Sequence, residues 1–164
     1  MKTKWIITGL AASALVAMPF AGTKKDNAVS VKVMRVAQRV NLDKGDLFTR
    51  DDADFYAKVK IGQNMIARSP NHSDDDGHPG WEFTRSSSGR YVPIRIELWD
   101  DDGGLEEKDD HVDINPYGNK KDLDLVLDTA TGAITGDLSA QRGQLINVTG
   151  GGDDDKGEIW FVIN

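Results

Sequence analysis

The chain has 164 residues, 38% hydrophobic and 29% charged, which leaves room for one domain and is too polar for a bundle of membrane spans. Its net charge of -7, from 27 acidic and 20 basic residues, argues against nucleic-acid binding, which needs a positive surface to release counterions. Cys is absent, so disulfide staples, thiol catalysis, cysteine zinc sites and Fe–S clusters are excluded.

Met1 to Lys4 carry two lysines, Trp5 to Phe20 are almost wholly apolar or small, and Ala21-Gly22 precede a polar run. This is the three-part shape of a secretory signal peptide. Residues 1–21 are therefore expected to be cleaved near Ala21, leaving residues 22–164 as a secreted or periplasmic domain. The apolar run is short for a span, and no stable transmembrane insertion is expected. Cleavage removes Lys2 and Lys4 and no acid, so the net charge of -7 becomes about -9.

Beyond that point strand patterns dominate. Val29, Val31 and Val33 alternate with Ser30 and Lys32, and the pattern resumes through Met34 and Val36 after a phase slip that suits a β-bulge. Ala57, Val59 and Ile61 alternate with lysines, and Val92, Ile94, Ile96 and Leu98 alternate with Pro93, Arg95 and Glu97 up to Trp99. Pro93 suits an edge strand or the first residues of a strand. Leu123, Leu125 and Leu127 repeat the pattern, Ile146 and Val148 form a shorter piece, and Ile159, Phe161 and Ile163 close the chain. No window carries a clean helical stripe. Six to eight short strands of period two call for two packed antiparallel sheets or a small barrel.

The connections are rich in Gly and Asp, and 22 of the 27 acids are Asp. Asp43, Asp46, Asp51, Asp52 and Asp54 lie between the first two strands, Asp74 to Asp76 in the next loop, Asp100 to Asp102 directly after a strand, Asp109, Asp110 and Asp113 soon after, and Asp153 to Asp155 before the last strand. So many carboxylates in short loops repel one another unless cations or water intervene. Extended geometry would point Asp100 and Asp102 to one side and Asp101 to the other. Hard oxygen ligands in irregular loops suit Ca²⁺ better than Mg²⁺. An EF-hand is excluded, because Gly104 falls at the fifth position of the loop and His111 at the twelfth. The alternative is an acidic surface kept for solubility.

The stretch Val29 to Gly62 resembles the opening of a C2 domain: a strand, an acidic loop with Asp46, then Asp54-Phe55-Tyr56-Ala57-Lys58-Val59-Lys60-Ile61-Gly62, similar to the family's Asp-Pro-Tyr-Val-Lys-Val. His78-Pro79-Gly80-Trp81-Glu82-Phe83 resembles its Asn-Pro-x-Trp-x-x-x-Phe segment. Ile96-Glu97-Leu98-Trp99-Asp100-Asp101-Asp102 is similar to the strand that ends in its calcium-binding Asp-x-Asp. The resemblance implies an all-β fold, an eight-stranded antiparallel β-sandwich whose loops at one end hold Ca²⁺. Carried over by motif, the ligands would be Asp46, Asp54, Asp100, Asp102 and Asp110, with Asp109 as the alternate for the last. Phe55 stands where the family has Pro and the first loop is longer than its norm, so Asp52 or Asp51 can take a place in the set.

Three histidines, His72, His78 and His111, flank acidic residues; a mixed metal site of His111 with Asp110 and Asp113 is one reading, local solvation the other. Glu82 and Glu97 read as the polar faces of their strands. Trp81, Trp99, Trp160 and Tyr91 either line a sugar platform or fill the core, and the core is the expectation. No Gly-x-Ser-x-Gly or phosphate loop is present. The function expected is therefore a secreted, non-catalytic, calcium-binding β-sandwich module that uses the ion for stability or to present a binding surface. The alternatives are a calcium-dependent carbohydrate- or lipid-binding module, and a calcium-assisted extracellular hydrolase or lyase with His111 as its base. Partners beyond calcium ions would be a polysaccharide, an extracellular protein or lipid head groups.

Overall fold

The computed structural model describes residues 27–39, 53–64, 66–74, 76–103, 108–118, 120–152 and 155–164. The expected signal peptide, residues 1–21, lies outside them, as do Asp43, Asp46, Asp51 and Asp52. Among the described residues there is no helix, so none is long and apolar enough to cross a membrane. The strands are β1 (Asn27–Gln38), β2 (Asp54–Ile61), β3 (Ala67–Arg68), β4 (His72–Ser73), β5 (Asp76–Gly77), β6 (Trp81–Ser87), β7 (Tyr91–Asp100), β8 (Asp110–Val112), β9 (Leu123–Asp128), β10 (Ala133–Gly136), β11 (Ala140–Gln141), β12 (Ile146–Thr149) and β13 (Gly157–Ile163).

They form two antiparallel sheets. In the first, β12, β13 and β1 run side by side, and β5 and β6 share the far side of β1. In the second the order is β11-β10-β9-β7-β2-β3, with β4 continuing the line of β3 beside β2 and β8 continuing the line of β9 beside β7. Joining the interrupted lines gives four strands per sheet, extended in the second by the short β10–β11 hairpin. The eight-stranded C2-like sandwich expected from the sequence is the architecture found.

Period-two alternation sends one face of each strand inward. Val92, Ile94, Ile96 and Leu98 of β7 meet Phe55, Ala57, Val59 and Ile61 of β2, Leu123, Leu125 and Leu127 of β9, and Val29, Val31, Val33, Ile159, Phe161 and Ile163 from the facing sheet. Removing one such side chain, as in Leu98→Ala, costs about 2–5 kcal/mol through lost burial and the cavity left behind. The phase slip in β1 is real: pairing with β13 jumps between Val33 and Arg35, leaving Met34 as the extra residue, and Val36 returns to the core. Pro93 does not mark an edge. It stands third in the central strand β7, one residue outside the ladder with β2, so its missing N–H removes no bond there.

Register fixes which loops share an end. Phe55 near the start of β2 pairs with Asp100 at the end of β7, and Asp100 pairs in turn with Asp110 at the start of β8. Gln38 at the end of β1 pairs with Gly157 at the start of β13, and Ala37 pairs with Asp76. Asp113 ties the sheets together at that end: its N–H donates to Asp155 O (2.7 Å), and Gly157 N–H donates to its carbonyl (2.9 Å). The Asp113 carboxylate accepts from the N–H groups of Asn115 (2.9 Å) and Gly152 (2.7 Å). Gly150 passes so close that an added Cβ would sit 2.1 Å from the Asp113 carbonyl. Glycine is required there by space.

At the opposite end of β9, Arg90 grips Asp128 with two bonds (3.0 and 2.9 Å), while Ala130 N–H donates to the same carboxylate (3.0 Å). The Arg90 contact, first among its causes, holds the Asp128 carboxyl far below the usual carboxylate range. A carboxyl depressed in the folded chain adds stability above its unfolded pKa of about 4 and loses it as pH falls below that value. Asp128→Asn is therefore expected to lower Tm slightly at pH 7, with the difference from the parent closing as the pH drops below about 4. Thermal melts across pH check this; a constant difference would show that the charge of Asp128 contributes nothing.

Candidate functional site

The end that gathers the acidic loops places the expected ligands unequally. Asp100 continues the inward phase of β7 and is 2% exposed. Its Oδ1 accepts the N–H of Asp54 (2.7 Å), and Asp101 N–H returns a bond to Asp54 O (3.1 Å), which locks the end of β7 to the start of β2. The Asp54 carboxylate accepts from the Ser73 hydroxyl of β4. Asp110 stands directly across the ladder from Asp100, so the two side chains share a face of the sheet. Asp102 follows the strand end, half-buried.

Asp101 turns toward the neighbouring edge. Its carboxylate accepts from Arg68 (3.0 Å), Asn71 (2.6 Å) and its own turn's Gly103 N–H (3.1 Å). These bonds, Asn71's foremost, hold the carboxyl below its ordinary range. Asp109 is taken by the Tyr56 hydroxyl. Of the two candidates for the later position, Asp109 is thus engaged on the outer face and Asp110 faces Asp100. Asp46 and Asp52 are outside the described residues.

Among the described residues, the one group of three metal-ligating side chains whose donor atoms lie within 4.8 Å of one another is a different one: Glu97, His111 and Asp122. It sits on the outer face of the β7 sheet. His111 pairs across the ladder with Trp99 rather than turning to Asp110 and Asp113, and its ring stacks on the indole at 4.2 Å and 3°. Its Nε2 lies 2.6 Å from Asp122 Oδ1. Asp122 Oδ2 accepts from Arg95 Nε (3.0 Å), and Glu97 Oε2 accepts from Trp99 Nε1 (3.0 Å). Burial, the largest cause, lowers the His111 pKa despite the pull of Asp122. The expectation of a site with Asp110 and Asp113 is corrected by the alternation of β8, which directs His111 to the other side of the sheet from Val112.

The aromatics divide in the same way. Trp81 is core at 8% exposure, but Trp99 and Trp160 lie on outer faces and Tyr91 is 61% exposed, so the expectation that all four fill the core holds only for Trp81. Trp99 belongs to a layered outer surface: Lys58 Nζ lies 3.8 Å over its ring, Tyr56 stacks at 6.4 Å, and the Arg68 guanidinium lies 3.6 Å over Tyr56. This cover buries Tyr56 although it points away from the core. Sequence reading missed the layer, because the alternation marks these residues as outward without showing that they cover each other.

No protein-family model and no curated protein matches the sequence. Among solved structures the chain is similar to the calcium-bound tandem C2 domains of extended synaptotagmin 2 (TM-score 0.51, 14% identity, covering 84% of this chain and 44% of that one). It is also similar to a structure described only as a C2 domain (TM-score 0.50, 14% identity, 84% and 97% covered). Human GIVD cytosolic phospholipase A2 matches at a TM-score of 0.47 and 15% identity, with 84% of this chain and only 17% of that one covered. What is shared is the fold. The chain is an all-β sandwich of the C2-like class.

Burial and then the bond to Asp109 push the Tyr56 pKa up to about 12, against about 10 for a free phenol. An alkaline absorbance titration is therefore expected to show a late tyrosine step near pH 12. Tyr56→Phe should remove that step; its persistence would show that it does not belong to Tyr56.

Proposed function

We propose that this chain is a calcium-binding C2-like module, working outside the cytoplasm after loss of residues 1–21 and non-catalytic in itself. The observation that carries the reading is the pairing of Asp100 with Asp110. Two carboxylates directly opposite on one face of a ladder are destabilising when both are ionised. They stand at the end where the start of β2, Asp76 of β5 and Asp155 also lie. A divalent cation removes that repulsion and turns the cost into cohesion.

The donor set fits calcium in kind. Asp100, Asp102 and Asp110 supply hard oxygens from a strand end and the strand opposite, and Asp54, whose carboxylate accepts from Ser73 on the outward phase of β2, would turn at the strand end to join them. Asp46 and Asp52 would complete the shell. Asp109, committed to Tyr56, is the outer alternate. Bound Ca²⁺ would supply positive charge and open coordination positions for an oxygen ligand on a partner. A polysaccharide, an acidic protein segment and a lipid head group all carry such oxygens. Residues of this chain do the rest: Asp101 pins the turn through Arg68 and Asn71, and Asp113 fixes the far loop by its backbone and carboxylate bonds.

Three outcomes follow for measurement. Free Ca²⁺ at 100 times Kd stabilises the fold by roughly 2.7 kcal/mol, on the order of 5–10 °C in Tm for a domain of this size. Mg²⁺ should do much less. Equal Tm with Ca²⁺, with Mg²⁺ and with chelator would overturn the calcium reading. In calorimetric titration Asp102→Asn should weaken Ca²⁺ binding by about tenfold or more, since ligand charge sets affinity. Asp101→Asn should change it little, and equal losses would mean a diffuse acidic cloud. Finally, intact mass of the exported protein should begin near Gly22, and a chain retaining Met1 to Phe20 in the membrane fraction would refute cleavage.

A further inference from the structure

We propose that Glu97, His111 and Asp122 form a second metal site, on the outer face of the β7 sheet, selective for a borderline transition-metal dication such as Zn²⁺ rather than Ca²⁺. The three side chains come from β7, β8 and the residue just before β9, so the β7 line supplies one ligand atom and the adjoining β8–β9 line two. One imidazole nitrogen and two carboxylate oxygens form a donor set that suits Zn²⁺, whose common open sites pair three protein ligands with a water. Calcium, which favours oxygen alone, is poorly matched by it.

The surroundings orient each ligand. Arg95 holds Asp122 by Oδ2 and leaves Oδ1 facing His111 Nε2. Trp99 Nε1 holds Glu97 by Oε2, leaving Oε1 on the side of Arg95 Nε, 3.7 Å away. The Trp99 ring fixes the plane of the imidazole. Partners of this type set ligand direction in zinc sites. His111 Nε2 and Asp122 Oδ1 are the telling atoms. Both are buried and meet in an ion-pair contact of 2.6 Å, with no further hydrogen-bond partner among the described residues. A shared dication would take the place of that contact and hold both atoms.

Glu97 and Asp122 bring two negative charges to the site, against Arg95 on one side and Lys121 near the imidazole. In a tetrahedral site with bonds of about 2.0–2.1 Å, ligand atoms stand roughly 3.3 Å apart. The His111–Asp122 pair therefore opens by about 0.7 Å on binding, within the reach of small side-chain rotations. The competing arrangement is a plain His111–Asp122 pair with no role for a metal.

Zn²⁺ titration of the full-length exported protein by calorimetry, with Co²⁺ as the spectroscopic probe, separates the two. Expected is one Zn²⁺ per chain at this face, with the visible absorption of tetrahedral Co²⁺. His111→Gln should weaken Zn²⁺ binding by at least about 100-fold, more than loss of an orienting partner alone, whereas Asp102→Asn should leave it nearly unchanged. No Zn²⁺ binding, equal affinity in His111→Gln, or loss of affinity in Asp102→Asn would each overturn the site. Should His111→Gln fail to fold, imidazole NMR of the parent decides: Zn²⁺ must shift the His111 ring resonances and spare those of His72 and His78. The calcium reading is tested by other residues, so either can fail alone.

Discussion

The register of β7 is the constraint on which the rest of the structure depends. It is the central strand of its sheet, paired with β2 on one side and with β8 and β9 on the other. Its inward phase runs Val92, Ile94, Ile96, Leu98 and then Asp100; its outward phase runs Pro93, Arg95, Glu97 and Trp99. A slip of one residue would exchange the two sets, burying Arg95 and Glu97 and exposing four aliphatic side chains. The burial of those aliphatics therefore determines, at the same time, that a carboxylate ends the buried row. Asp100 is held there because the Asp54 N–H meets it at the sheet's rim.

That single strand also separates the two acidic regions. Alternation gives its end to the loops at one end of the sandwich and its outward row to the face where Arg95, Glu97 and Trp99 meet His111 and Asp122. The regions differ in character. The loop end offers the carboxylates of Asp100 and Asp110, facing one another across a ladder. The face offers a nitrogen, aromatic walls and an arginine that already offsets one carboxylate. Hardness of donor, rather than amount of negative charge, distinguishes what each can hold.

Much of this was legible in the sequence, for a physical reason. Most strands of six residues or more leave a period-two signature, so β1, β2, β7, β9 and β13 and the bulge at Met34 could be read directly, while β6 was met only as the Trp81-Glu82-Phe83 segment. Strands of two to four residues carry little period, and of these only β12 was read, from Ile146 and Val148. Thus β3, β4, β5, β8, β10 and β11 were hidden in stretches that read as Gly- and Asp-rich connections. Strand β8 is the most consequential, since its pairing is imposed by the open side of β7. Without β8 in place, His111 read as a neighbour of Asp110 and Asp113. Chain proximity gave the wrong partners because neighbours along a strand face opposite ways.

The same logic explains why the aromatic expectation failed for Trp99 in particular. A tryptophan in a small sandwich has two ways to leave water: enter the core, or be covered from outside. Leu98 and Asp100 already hold the inward phase on either side of it, so the core is closed to Trp99 by parity alone. Covering it then falls to long side chains on adjacent strands. Lys58 Nζ lies over the indole, and Tyr56 beside it is roofed by the Arg68 guanidinium, so each cation meets a ring face directly. His111 closes the remaining side by stacking. An imidazole placed there loses solvent on one face and is turned edge-on toward Asp122. The hydrophobic need of one outward tryptophan thereby sets the orientation of the histidine that meets the carboxylates of this sheet face.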